Sequence, residues 1–253
     1  MSGHSKWSTI KRAKGATDAK RGQLFTKLAR EITVAARTGV PDPEANGRLR
    51  IAIQKARSEN MPKDNIDRAI ERAKGAAGGE NYDEVSYEVF APGGVALMIQ
   101  AMTDNRNRTV GEVRAVLTRA GMSLGSDGSV GWMFENVGQL VVHPDSLDLD
   151  EATLLAIDAG ASEVETDEAS IVVFTVSQDL HRVQLELEEA GMTVESAELV
   201  MKAKDVVAPD ANATVKLIRL IEKLEDLDDV QAVFSNLEIS DEAMADVGAG
   251  ATA

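Results

Sequence analysis

The chain has 253 residues, 43% of them hydrophobic and 27% charged, with no cysteine and a formal net charge of −15. That length predicts more than one domain, and the composition is that of a water-soluble globular protein. The absence of cysteine excludes disulfides, thiolate metal sites and cysteine nucleophiles, and no run approaches the ~18 apolar residues needed to cross a bilayer. Met1 to Trp7 lacks the apolar core of a secretory signal, so a cytoplasmic location is expected.

The net charge hides an asymmetry. Residues 1–75 hold 17 Lys+Arg against 8 Asp+Glu, residues 76–140 hold 4 against 8, and residues 141–253 hold 6 against 26. A basic block on an acidic chain points to a polyanionic partner for that block, although a solvated helical face would read the same way.

In chain order, Gly3 to Gly15 shows no helical apolar period and reads as an extended basic arm. From Asp18 to Thr38, Leu24, Leu28, Ile32 and Ala35 form a helical stripe, while Lys20, Lys27, Arg30 and Arg37 project to the opposite side. Gly39 and Pro41 end that helix. Leu49, Ala52, Ile53 and Ala56 mark a second helix. Ile66, Ala69, Ile70 and Ala73 mark a third, which starts near Pro62 and takes Gly75 as its C′ residue. Residues 75–81 read as a flexible linker.

Beyond the linker the period becomes two. Glu84–Ala91 and Val95–Met102 read as strands joined by a Pro92-Gly93-Gly94 turn. A helix over Asn105–Ala120 is capped by Thr103 or Asp104, and Ser129–Phe134 reads as a further strand. Next come a strand at Gln139–Val142, a helix at Glu151–Ala159, a hairpin of Glu163–Thr166 and Ile171–Val176, a helix at Leu180–Ala190 and a brief strand near Thr193–Glu195. That βαββαβ order is ferredoxin-like. A strand at Glu198–Lys204, a helix at Ala213–Leu224 and a strand at Val230–Asn236 complete the chain.

The predicted fold class is α+β: an N-terminal helical bundle followed by two ferredoxin-like α/β lobes, the second inserted in the first. The corresponding domains are residues 1–78, residues 82–136 plus 197–239, and an inserted lobe at 137–196. Residues 240–253 are expected to be a disordered tail.

From Lys6 to Arg37 there are nine Lys+Arg against two acids, with Trp7 and Phe25 among them. Cations that reach a phosphate array, beside an aromatic ring that can stack on a base, make a nucleic-acid-binding pattern. Phe25 borders the apolar stripe and is expected in the core, whereas Trp7 is left for stacking or for a partner contact. The run from Thr103 to Thr109 opens a helix with two arginines, which suits a second anion contact. The candidate nucleic-acid-binding residues are therefore Lys6, Trp7, Lys11, Arg12, Lys14, Lys20, Arg21, Lys27, Arg30, Arg106 and Arg108.

No catalytic, cofactor or metal constellation emerges. The glycine loop Gly121–Gly131 lacks the Walker ending and the GxGxxG spacing, and His4, His143 and His181 are scattered. An enzyme is not expected, nor a cofactor, a membrane partner or a small-molecule substrate. RNA and DNA remain open as partners, because a phosphate-binding surface serves both. A protein–protein adaptor, in which the acidic lobes hold a basic partner, is the reading from a different class.

Four stretches carry a resemblance: GHSKWSTIKRAKGATDAKRGQLFTKLAREI at 3–32, NMPKDNIDRAIERAKG at 60–75, YEVFAPGGVALMIQAMTDNRNRT at 87–109 and GSVGWMF at 128–134. They resemble the YebC/PmpR family, which includes the mitochondrial translational activator of cytochrome c oxidase. The resemblance implies a three-domain α/β protein with a helical N-terminal domain and two ferredoxin-like lobes. It also implies a regulator of gene expression. Bacterial members are described as DNA-binding transcriptional regulators, and others are linked to ribosomes and to the synthesis of proline-rich sequences. Because the basic arm has no clear helix-turn-helix pair and is attached to acidic lobes that duplex DNA would repel, a translation factor contacting ribosomal RNA is the leading expectation, with a DNA-binding transcriptional regulator as the alternative.

Overall fold

A computed structural model describes residues 18–75, 81–167 and 170–239. It is a mixed α/β protein with N-terminal helices and two sheets, in chain order α1 (Asp18–Thr38), α2 (Gly47–Ser58), α3 (Lys63–Lys74), β1 (Asp83–Ala91), β2 (Val95–Thr103), α4 (Arg106–Arg119), β3 (Phe134–His143), α5 (Leu149–Asp158), β4 (Glu163–Thr166), β5 (Ile171–Val176), α6 (Leu180–Glu189), β6 (Thr193–Ala203), α7 (Ala211–Glu225) and β7 (Val230–Ser235). Among the described residues no helix is long and apolar enough to cross a membrane. Two compact units divide the chain: residues 22–75 with 136–200, and residues 18–21 with 81–135 and 201–239.

In the first unit, Leu28, Ile32, Ala35 and Ala36 of α1 are buried against Leu49, Ala52, Ile53 and Ala56 of α2 and Ile66 and Ala69 of α3. Phe25 packs against this core, as its place beside the stripe implies. The buried Thr33 hydroxyl donates to the Ala29 carbonyl at 2.8 Å and lies 3.1 Å from that of Ala69, which ties α1 to α3. Asn46 fastens the α1–α2 connection. Its Oδ1 caps α2 by accepting from Leu49 N at 3.1 Å, and its Nδ2 donates to the carbonyls of Ala35 and Val40, each at 2.8 Å. Asn46→Ala removes a cap and leaves buried carbonyls without donors, so a loss of about 2 kcal/mol is expected. Urea unfolding checks it; a change under about 0.5 kcal/mol, no larger than an ordinary surface substitution, would show the clasp to be dispensable.

The four-stranded sheet of this unit has the order β4-β5-β3-β6, with β3–β5 and β4–β5 antiparallel. Leu140, Val142, Ile171 and Val173 face a core completed by Ala152 and Ala156 of α5 and Val183 and Leu187 of α6. Val141, Val172 and Phe174, on the alternate face, are buried as well. Burial on both faces explains why these strands read as unbroken apolar runs. Gly138 lets α6 approach the sheet, because a Cβ there would press on the Thr175 hydroxyl and on Leu180. Ile51 of α2 packs against this core, and Lys55 Nζ meets Glu198 Oε2 at 3.0 Å, so helices and sheet form one body.

In the second unit the sheet has the order β1-β2-β7, antiparallel throughout. The β1–β2 hairpin closes through Pro92–Gly94, where Gly93 and Gly94 both take φ of 81°, a region open to glycine. Val95, Leu97, Ile99 and Ala101 face Val113 and Leu117 of α4 and Leu217, Ile218, Ile221 and Leu224 of α7.

Several expected elements differ. Ser129–Phe134 is not a strand. Residues 131–133 form a tight 3-10 turn and the strand begins at Phe134, because the amides of Gly128, Val130 and Gly131 are taken by a carboxylate described below. The two short strands expected around 193–204 are one, β6. The cap of α4 is Asn105, whose Oδ1 accepts from Arg108 N at 3.1 Å, rather than Thr103 or Asp104. Gly75 has a φ of −67° and does not supply a left-handed cap.

Candidate nucleic-acid interface

The apolar stripe of α1 is buried in the helical core, which sets the orientation of its cations. Lys20 and Arg21 are exposed, while Lys27, Arg30 and Arg37 are partly covered. Lys6, Trp7, Lys11, Arg12 and Lys14 lie outside the described residues. Lys20 Nζ stands 3.8 Å from Asp226 Oδ1, with both side chains more than half exposed. An ion pair that long and that wet contributes little and yields readily to a stronger anion.

Other cations of the helical segment serve the fold. Arg48 Nη2 pairs with Glu31 at 3.1 Å, and Arg50 donates to the Pro43 and Glu44 carbonyls at 2.9 and 2.7 Å. Along α3, Lys63, Arg68, Arg72 and Lys74 alternate with Asp64, Asp67 and Glu71, a nearly balanced face. The positive excess is therefore concentrated in the first 37 residues.

Arg106 and Arg108 occupy the first turn of α4, and both donate to carboxylates. Arg106 Nε reaches Asp83 Oδ2 at 2.7 Å. Arg108 Nη2 reaches Asp104 Oδ1 at 2.6 Å and Asp229 Oδ2 at 2.7 Å. The hydrogen bond to Asp83 leads in raising the Arg106 pKa, and the one to Asp229 leads in raising that of Arg108. Asp229 is the buried member, with a side chain 3% exposed, and it also accepts from the hydroxyls of Thr103 at 3.0 Å and Thr109 at 2.7 Å. Its neighbour Asp226 is the partner of Lys20. The short α7–β7 connection thus gathers Lys20 and Arg108, which are far apart in sequence, onto two carboxylates three residues apart.

A third arrangement was not anticipated from the sequence. Glu88, on β1, holds the glycine loop before β3. Its Oε1 accepts from Gly128 N at 2.7 Å, and its Oε2 accepts from Val130 N at 2.6 Å and Gly131 N at 2.9 Å. Its backbone carbonyl accepts from Gly125 N at 2.7 Å. Burial pushes the Glu88 carboxyl pKa up, but the amides of Val130, Gly128 and Gly131 and the Ser129 hydroxyl outweigh it, and the net shift is downward. The next residue, Trp132, is 67% exposed. Its Nε1 donates to the Ser129 carbonyl at 3.1 Å, and its own carbonyl accepts from Lys204 Nζ at 2.9 Å. The loop and Glu88 also border an open cleft of about 420 Å³ whose lining includes Tyr87, Arg114, Thr118 and Leu124. Burial raises the Tyr87 pKa. No group of His, Asp and Glu among the described residues is arranged to hold a metal.

Residues 5–76 match the TACO1/YebC protein N-terminal domain, and residues 82–237 match the TACO1/YebC second and third domain. A protein of Roseiflexus castenholzii named "Probable transcriptional regulatory protein" is 54% identical over 247 residues, covering 96% of this chain and 97% of its own. One of the same name from Chloroflexus aggregans is 52% identical over 245 residues, covering 96% and 97%. The crystal structure of a conserved hypothetical protein from Aquifex aeolicus is similar, with a TM-score of 0.81 and 45% identity over 88% of this chain and 93% of that one. With both family models matched and half of the residues shared over nearly the whole length, the chain belongs to the TACO1/YebC family.

Proposed function

We propose that this protein is a non-enzymatic regulator of gene expression that binds nucleic acid through its N-terminal cations. The observation that carries the reading is the excess of nine Lys+Arg over two acids between Lys6 and Arg37, together with the burial of the apolar face of α1, which leaves Lys20 and Arg21 exposed. The names of the relatives, probable transcriptional regulatory proteins, support a regulatory role.

Within that reading we take RNA in a ribosomal setting, in the cytoplasm, as the target. The balanced charge along α3 is unlike a recognition helix for duplex phosphates, and the acidic remainder of the chain repels a long duplex. DNA is the second reading, favoured by the relatives' names. Arg106 and Arg108 join the interface only if a phosphate outcompetes Asp83, Asp104 and Asp229 for them, so Lys20, Arg21 and the arm are the primary contacts. For the fold, we read residues 137–196 as a ferredoxin-like lobe inserted between 82–136 and 197–239. Its support is the sheet order, in which the four strands of that segment lie second-third-first-fourth.

Reversing Lys11, Arg12, Lys14 and Lys20 to Glu tests the proposal. The variant is expected to lose at least about tenfold in affinity for RNA or DNA, with a shallower dependence of log affinity on log salt. Fluorescence anisotropy at several salt concentrations measures both. Unchanged binding would overturn the proposal in favour of the adaptor. Co-sedimentation with ribosomes at moderate salt separates the RNA target from DNA: protein confined to the ribosome-free fractions argues against RNA.

A further inference from the structure

We propose that Trp132 is a stacking platform for an unpaired base, presented by a turn that Glu88 and Lys204 hold in place. The inference rests on the nucleic-acid reading above and adds a second contact, from a later stretch of the chain, that reads single-strandedness rather than charge.

Large aromatic rings are ordinarily taken out of water, so an indole 67% exposed on a tightly held backbone calls for a reason. The turn is held on every side. Glu88 takes the amides of Gly128, Val130 and Gly131, Met133 N donates to the Val130 carbonyl at 2.9 Å, and Lys204 clamps the carbonyl groups of both Trp132 and Met133. The indole N–H is already satisfied by Ser129, so the ring needs no further polar partner and offers its face. A Cβ on Gly131 would lie 3.4 Å from Glu88 Oε1 and 3.5 Å from Met98 Cε, which places the turn directly over β1 and β2. On the same face of β1, two residues from Glu88, Phe90 is 61% exposed. A fixed, solvent-facing aromatic loses little entropy when a flat ring lies on it, and every nucleobase has such a face.

The charge beside the turn is mixed: the exposed Lys204 ammonium lies at the Trp132 carbonyl, and the exposed carboxylates of Asp127 and Glu135 flank the turn in sequence. The flat indole, rather than a cluster of cations, is therefore what selects a ligand here. A base reaching out from a single strand meets the indole. A duplex, whose bases are stacked inside, cannot do this.

The test uses the full chain and two probes, a single-stranded RNA of about 12 nucleotides and a duplex DNA of the same length. Trp132→Leu is expected to weaken single-strand binding about tenfold, within the range that base–aromatic stacking supplies, while the salt slope and the duplex affinity stay unchanged. Trp132→Phe is expected to recover most of the loss. The chain has two tryptophans, Trp7 and Trp132, so the part of RNA-induced fluorescence quenching that disappears in Trp132→Phe reports stacking on this ring. Equal single-strand affinity for wild type and Trp132→Leu, with no quenching assignable to Trp132, overturns the proposal and leaves the N-terminal reading standing. That result would also point to a protein partner for the exposed ring. Failure of the wild type to bind either probe overturns both.

Discussion

Asp229→Ala is expected to lower the unfolding free energy by about 3 kcal/mol, the largest effect of any single substitution considered for this chain. The side chain is 3% exposed and serves three donors at once: the Arg108 guanidinium and the hydroxyls of Thr103 and Thr109. Thr103 and Thr109 are themselves fully buried, so without Asp229 their hydroxyls fall back on each other at 2.7 Å and on the Asn105 carbonyl, 3.1 Å from Thr109, rather than on water. Arg108 is half exposed and recovers hydration, which keeps the loss near the lower end of the range for broken buried pairs. Asp229→Asn retains the shape and one carbonyl acceptor but not the charge, and is expected to lose about half as much. Urea unfolding followed by circular dichroism measures both. A loss under about 1 kcal/mol for the alanine variant would mean that this network does not anchor α4 to the α7–β7 connection.

The same network explains which features the sequence disclosed. Where a residue's role depends on neighbours three or four positions away, the local pattern carries it: the stripes of α1 and α7 show in the spacing of Leu28 and Ile32 and of Ile218, Ile221 and Leu224, and all are buried. Asp229 pairs with Arg108 across 121 residues and Glu88 with Gly128 across 40, and no local pattern announces either. Ser129–Phe134 misled for the same reason. Its residues have strand-like character, yet the amides that a strand would commit to a neighbour belong to Glu88. The α4 cap differed by one or two positions because Thr103, Asp104 and Asn105 are all competent caps. The choice was made by Asp229, which engages the Thr103 hydroxyl, and by Arg108, which engages Asp104. At the candidate interface, charge counting finds the cations but not their partners, so Arg106 and Arg108 look alike in sequence to Lys20 and differ sharply in space.

Glu88→Gln isolates the other long-range carboxylate, and is expected to lower stability by about 2 kcal/mol at neutral pH. A glutamine has one acceptor oxygen where the carboxylate has two. If that oxygen faces Val130 and Gly131, the amide nitrogen points at the N–H of Gly128 and repels it; the opposite orientation fails two amides instead of one. The pH dependence follows from the direction of the shift. The folded Glu88 pKa lies below the usual glutamate value, so its stabilisation is fully present above the unfolded pKa and is lost as pH falls through the folded one. The difference in unfolding free energy between wild type and Glu88→Gln should therefore be flat from neutral pH down to about pH 5 and should shrink below it. A difference that grew on acidification would contradict the assignment of a charged carboxylate at this site. Because Trp132 follows directly on the amides that Glu88 holds, the variant is also expected to lose single-strand RNA affinity in the same direction as Trp132→Leu. Loss of stability without loss of single-strand binding would separate the turn's structural role from presentation of the ring.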